Sequence, residues 1–318
     1  MKYIFESNFA NDIDSYIRLR TSLGNMEDTF ARRLKSFDSH CIQYYPDDHI
    51  LTQEICESWC TLRENEKPAT LQLRTRILRD FSKYLRSLGR EVYVIPDGYI
   101  GKPARYLPYI YTDDELSTFF ESADSIKPHK LSPLREYIIP VLFRMLYCCG
   151  LRPQEIPLLA VSDVNLDNGM IRITDSKRHK DRFVVMSQDL QTLCKEYSCH
   201  MEYLIPGRKY FFQFKPDSCC SVRWVQAQFY RCWRNIGKEF SNDHHPRVYD
   251  FRHNFATRVI RSWMNEGLDV MSKLPYLSSY MGHESIEYTA YYIHLVPDHL
   301  TDSGKTNWDT GIEVPSYE

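Results

Sequence analysis

The sequence predicts a mainly α-helical protein with a small antiparallel β-sheet, built as two domains spanning residues 1–105 and 106–318. Three observations carry this reading. Apolar residues recur at helical spacing through the N-terminal part of the chain, that periodicity stops between Gly89 and Thr112, and only one pair of short β-rich runs follows. A length of 318 residues allows two cores of ordinary size, since domains run to about 100–200 residues.

Three short amphipathic helices come first, marked by Phe9, Ile13, Tyr16 and Ile17, then Phe30, Leu34, Phe37 and Cys41, then Ile55, Trp59 and Leu62. A fourth starts after Pro68 and runs from about Thr70 to Leu88. It turns Leu73, Ile77, Phe81, Tyr84 and Leu85 inward and stops at Gly89. Its opposite face carries Arg76, Arg79, Lys83 and Arg86 at i, i+3, i+7 and i+10, a stripe of four cations. A solvated helix face explains such a run; so does a phosphate backbone.

The segment EVYVIPDGYIGKPARYLPYIY has three prolines and two glycines, the composition of an extended connection, and the domain boundary is expected near Arg105. Thr112-Asp113-Asp114-Glu115 has the form of a capping box and opens the second domain with a helix. Ser132-Pro133 reads as the N-cap and first turn of a helix that ends at Gly150 and is kinked at Pro140. Residues 170–174 and 182–186 read as strands after an Asp167-Asn168-Gly169 turn, joined into a hairpin by SKRHKD. Helices resume around 221–236, 250–266 and 284–293.

No stretch approaches the roughly 18 uninterrupted apolar residues of a membrane span, and the N-terminus lacks the apolar core of a signal peptide. A cytoplasmic location is the expectation. Ten cysteines diluted over the whole chain suit reduced, buried thiols better than a disulfide framework. Cys194, Cys199, His200, Cys219 and Cys220 invite a zinc reading. The adjacent pairs Cys148-Cys149 and Cys219-Cys220 lack the Cys-x₂₋₄-Cys spacing of such sites, so no metal or cofactor is expected. A net charge of −2 argues against nucleic acid if taken as a total, but what matters is where the cations gather.

Breaking a phosphodiester without a metal requires a nucleophile, cations for the non-bridging oxygens and an acid for the leaving oxygen. GLRPQEIPLLAVSDVNLDNGMIRITDSKRHKDRFVVMS resembles the tyrosine recombinase segment that carries the first catalytic arginine and the hairpin lysine, at Arg152 and Lys177. RVYDFRHNFATRVI resembles the helix of the second arginine, at Arg252, and YMGHESIEYTAYYIHL resembles the Gly-His and Thr-x-x-Tyr pair, at His283 and Tyr292. On these ordered motifs the chain resembles the tyrosine recombinase, or phage integrase, family, and especially integrases of bacterial transposons and other mobile elements. The resemblance implies a helical core-binding domain followed by a tyrosine recombinase catalytic domain. It also implies a Tyr292 nucleophile that forms a 3′-phosphotyrosyl intermediate, a Lys177 acid, double-stranded DNA as partner and a homotetramer on it.

Each residue also has a plainer explanation. Arg152 follows a helix end and can pair with Glu155; Arg178 or Lys180 could take the hairpin position, though Lys177 is favoured because it follows the strand directly; Arg252 can pair with Asp250, a surface contact worth about 0–1 kcal/mol. The sequence holds 23 tyrosines, so composition does not choose among Tyr288, Tyr291 and Tyr292. The Thr289-x-x-Tyr292 pattern does. Where the family usually has histidine three residues before the second arginine, this chain has Tyr249, a catalytic candidate whose phenol can donate a hydrogen bond to a phosphate oxygen but is a poor proton acceptor at neutral pH; His244, His245 and His253 lie nearby. This departure keeps open a catalytically weak or inactive DNA-binding accessory member. A type IB topoisomerase-like relaxing enzyme shares the chemistry, but the N-terminal helices speak against it.

Overall fold

The computed structural model describes residues 3–24, 28–101, 107–174, 181–215, 218–237 and 245–296. The chain divides into two compact units, Met1–Tyr106 and Leu107–Glu318; Arg105 lies outside the described residues. No helix among the described residues is long and apolar enough to cross a membrane.

The first unit holds α1 (Ala10–Ser22), α2 (Asp28–Tyr44), α3 (Gln53–Trp59) and α4 (Pro68–Ser87). The periodic positions Ile13, Leu34, Phe37, Ile55, Trp59, Ile77 and Phe81 meet in one core. Leu62 is a correction: α3 ends at Trp59, so Leu62 no longer shares the helix face and is exposed. Arg74 was not anticipated inside. It falls three residues before Ile77 on the inward face of α4 and is 1% exposed. Glu66 makes that tolerable by accepting from Nε at 2.9 Å and from a terminal nitrogen at 2.8 Å, while the Thr61 carbonyl accepts another bond and Trp59 stacks beneath.

The second unit opens with α5 (Asp113–Asp124), and the Thr112–Glu115 capping box forms in both directions. The next helix, α6 (Arg135–Cys149), begins later than the Ser132-Pro133 pair suggested. Ser132 instead accepts a 2.7 Å hydrogen bond from the Trp224 indole, and Leu134 takes a left-handed conformation at the cap. The helix runs on through Pro140 and ends at Gly150. Because it is apolar nearly all round, α6 forms the centre of the unit. Phe143 meets Phe119 edge-on at 5.2 Å, and Phe251 meets both Phe119 and Phe229 edge-on.

Strands β1 (Val164–Asn165), β2 (Met170–Ile173) and β3 (Arg182–Val185) form an antiparallel sheet in the order β1-β2-β3. Ile171 opposes Val184 and Arg172 opposes Phe183. The pairing of β2 with β3 follows the expected hairpin; β1 is an addition too short to show alternation. Four further elements had no sequence expectation: α7 (Gln188–Leu204), the β4 (Gln213–Lys215) and β5 (Ser218–Cys219) pair, and a later helix over Val270–Met281. Then come α8 (Val222–Arg234), α9 (Asp250–Asn265), α10 (Val270–Met281) and α11 (Ile286–Ala290). The expected helix over 284–293 is corrected to α11 followed by a 3₁₀ turn, Tyr291–His294.

Candidate active site

Two helices of the second unit end on glycines in left-handed conformation, Gly150 after α6 (φ 62°) and Gly282 after α10 (φ 61°). Helix ends leave carbonyls without intrahelical donors. Here guanidinium groups supply the donors. Arg252, on the first turn of α9, donates to the Gly150 carbonyl at 2.7 Å and to the Met281 carbonyl, while Arg152 donates to the Gly282 carbonyl. Gly150 admits no side chain, because a Cβ there would lie 2.5 Å from the Phe255 ring.

Arg252 is 1% exposed. Burial, with the nearby Arg152 charge adding to it, pulls its pKa down to about 10, so it stays cationic at neutral pH. Glu155 supplies the balancing charge. Its oxygens accept from the Arg152 amide at 2.8 Å and the Arg152 guanidinium at 2.9 Å, and from Arg182 at 2.7 and 2.8 Å. Burial opposes ionisation of Glu155, but the Arg182 hydrogen bonds and charge, with the Arg152 amide and Arg252, outweigh it and hold its pKa below the usual range. Arg182 also donates to the Tyr280 carbonyl at 2.9 Å. The site thus has three anchored guanidinium groups around one buried carboxylate.

Tyr292 lies on the 3₁₀ turn and is 3% exposed. Burial raises the pKa of its phenol above the ordinary value, against the pull of Arg252. Its hydroxyl is 2.9 Å from His253 Nδ1, and its ring stacks near that of His283, with centroids 6.2 Å apart. His283 Nδ1 in turn lies 2.7 Å from the hydroxyl of the buried Thr289. Burial, reinforced by Arg247 and Arg252 for His253 and by Arg252 and Arg152 for His283, takes both pKa values down to about 3. Both imidazoles are neutral at pH 7.

Arg152, Arg252, His283 and Tyr292 therefore come together. Tyr249 is half-buried at the start of α9, with its ring 5.2 Å from that of His253. Lys177, Arg178 and Lys180 lie outside the described residues, as does His244. Of the competing tyrosines, Tyr288 is exposed and Tyr291 half-buried. Sequence reasoning missed Arg182 and left His253 as one of three candidates. Arg182 shares the inward face of β3 with Val184 while Phe183 faces out; an arginine in phase with a buried valine was the available signal.

The α4 stripe is engaged in part. Arg79 donates to the Ile95 and Pro96 carbonyls at 2.9 and 2.7 Å and pairs with Asp97, and Arg86 donates to the Val92 carbonyl. Arg76 and Lys83 are exposed, the latter 4.0 Å from Asp97. Among the cysteines, Cys199 is exposed and Cys148 and Cys219 half-buried, which corrects the expectation of uniformly buried thiols.

The model of the Phage integrase family matches residues 111–299. A Sinorhizobium fredii protein named "Putative integrase/recombinase" is 26% identical over 306 residues, covering 93% of this chain and 96% of its own length. The tyrosine recombinase XerC of Lactobacillus delbrueckii subsp. bulgaricus is 26% identical over 241 residues, covering 71% of this chain and 73% of its own. Among solved structures, the XerH site-specific recombinase bound to a palindromic DNA substrate superposes with a TM-score of 0.66 at 21% identity, over 86% of this chain and 78% of that one. That likeness concerns the fold.

Proposed function

The chain belongs to the phage integrase family, and from that premise we propose that it is a site-specific DNA recombinase in which Tyr292 attacks the scissile phosphate. The observation that carries the proposal is the meeting of Arg152, Arg252, His283 and Tyr292 around the glycine ends of α6 and α10. Arg152 and Arg252 bring fixed positive charge to a phosphate whose negative charge grows in the pentavalent transition state. Groups held before the reaction need not reorganise during it. His283 is neutral, and in the tautomer whose Nδ1 accepts from Thr289 its proton sits on Nε2, available to a phosphate oxygen.

Attack forms a bond from Tyr292 to phosphorus and breaks the bond to the 5′ oxygen, which takes a proton from Lys177. The 3′-phosphotyrosyl bond conserves the phosphodiester energy, so rejoining needs neither ATP nor metal. Four protomers on two duplexes, as the family implies, would bring two such bonds into exchange. The exposed cations of α4, Arg76, Lys83 and Arg86, with the half-buried Arg79 beside them, are assigned to phosphate contact.

A duplex selected for binding from a random-sequence pool, nicked near its centre to trap cleavage, provides the test. The wild-type protein is expected to give a denaturant-resistant covalent adduct that Tyr292→Phe abolishes. An adduct persisting in Tyr292→Phe assigns the nucleophile elsewhere, and tight binding without any wild-type adduct favours the accessory, non-cleaving reading.

A further inference from the structure

We propose that His253 is the proton acceptor for Tyr292; one helical turn earlier, where the family usually has histidine, this chain has Tyr249. The inference rests on Tyr292 being the nucleophile. Its carrying observation is the 2.9 Å contact between His253 Nδ1 and the Tyr292 hydroxyl.

The surroundings of His253 suit a proton acceptor. On α9 lie Tyr249, whose ring packs at 5.2 Å, Asp250, whose Oδ1 is 4.0 Å from His253 Nε2, and the cation Arg252. Arg247 approaches from the preceding turn, and Tyr292 and His283 face it from the C-terminal side of α10. With Nε2–H on the side of Asp250, the lone pair of Nδ1 is the one that meets the phenol. Asp250 is fully buried and held by the Arg247 amide at 2.8 Å, so a carboxylate stands ready beside the imidazolium as it forms. Tyr249 has no comparable proton-accepting nitrogen.

The step balances within the site. As the Tyr292 oxygen bonds to phosphorus, its O–H bond breaks and the proton moves to His253 Nδ1. The electron pair of the breaking P–O bond leaves on the 5′ oxygen, which is protonated by the acid on the leaving-group side; rejoining reverses each transfer. At rest, burial and the cations Arg247 and Arg252 keep His253 neutral. A phosphate on Arg252 offsets that guanidinium's share of the lowering, while burial and Arg247 remain; the part recovered makes the imidazole a stronger base once DNA is bound.

The test compares adduct formation on the nicked duplex by wild type, His253→Gln and Tyr249→Phe. It is run with an ordinary 5′ oxygen and with a 5′-bridging sulfur, a leaving group that needs no proton. His253→Gln, which keeps a hydrogen bond but no basicity, is expected to slow the adduct by about 10²–10⁴-fold. The residual rate should climb with hydroxide concentration, and the bridging sulfur should not restore it. Tyr249→Phe, which loses a hydrogen-bond donor but no base, is expected to slow the adduct less than His253→Gln does, and a larger loss from Tyr249→Phe than from His253→Gln overturns the assignment. A His253→Gln rate close to wild type, or one restored by sulfur, overturns the assignment while leaving the Tyr292 reading intact; loss of the wild-type adduct itself takes down both. Should His253→Gln not fold, ¹⁵N NMR of the wild-type histidines decides the point: the His253 Nδ1 resonance is expected to move on Tyr292→Phe, and an unmoved resonance overturns the proposal.

Discussion

Arg252 on α9 and Arg79 on α4 make the same kind of contact at different depths: each donates to two backbone carbonyls from distant parts of the sequence or from a connection. Arg252 is 1% exposed, and its acceptors are the ends of two helices with no other intrahelical donor. Arg79 is half-buried, and its acceptors belong to the connection after α4, beside an Asp97 whose side chain is 83% exposed. Water can replace Arg79 but not Arg252. The first cation is part of the architecture of its site, and the second tethers a surface segment.

The largest expected effect follows from that difference. Arg252→Ala leaves two buried carbonyls without donors, at about 1–3 kcal/mol each, and empties the volume of the guanidinium. A loss of roughly 3–6 kcal/mol in the stability of the second unit is expected. Arg79→Ala should take about 1 kcal/mol or less from the first unit, because its hydrogen-bond partners regain water. Urea unfolding followed by hydrogen exchange in each unit measures both; equal losses would break the comparison. Arg252→Lys sharpens it, since an ammonium keeps the charge but not the fork that reaches both the Gly150 and Met281 carbonyls.

The second effect depends on pH. His253 and His283 have pKa values near 3 in the folded chain against the ordinary 6.5. Between those values the unfolded chain binds two protons that the folded chain does not, so stability falls as pH falls, by up to about 2.7 kcal/mol per unit. Glu155 acts in the same direction at lower pH. Its folded pKa is depressed, so the stability it contributes is present above the ordinary carboxylate value near 4.5 and lost as pH drops through the folded one. His253→Gln should halve the slope of stability against pH from about 6.5 down to 4.5. Variants of the α4 cations should leave the slope unchanged.

The two regions were also unequally legible in the sequence. The helices of the first unit follow from their apolar period, because each buries one stripe against its neighbours. The α4 stripe was visible for the same reason, yet its engagement by residues 92–97 was not, since an extended connection has no periodicity to show where it lies. In the second unit α7 and α10 went unread although each has a capping residue, Ser187 and Asp269. Of the residues that meet at the candidate site, Arg152, Arg252, His283 and Tyr292 are each marked by a local pattern. Arg182 and His253 join it through contacts with Glu155 and Tyr292 that span 27 and 39 residues, and no local pattern specifies those.

The smallest effect tests how the α4 cations divide. Arg76, Lys83 and Arg86 are exposed, and among the described residues neither Arg76 nor Lys83 is hydrogen-bonded to the segment 92–97 as Arg79 and Arg86 are. A cation released from other contacts can neutralise a phosphate and displace a counterion. Each such contact steepens the fall of DNA affinity with salt by a logarithmic slope of about 0.9. Arg76→Ala and Lys83→Ala should therefore each reduce that slope by about one while changing stability by no more than about 0.5 kcal/mol. Arg79→Ala and Arg86→Ala should change the slope less, because carbonyls 92, 95 and 96 already hold those guanidinium groups. Salt titrations of binding to the selected duplex measure all four. If Arg79 and Arg86 carry the larger share, the segment 92–97 gives way when DNA binds, and α4 presents its whole stripe; if no variant moves the slope, the face of α4 is a solvated surface.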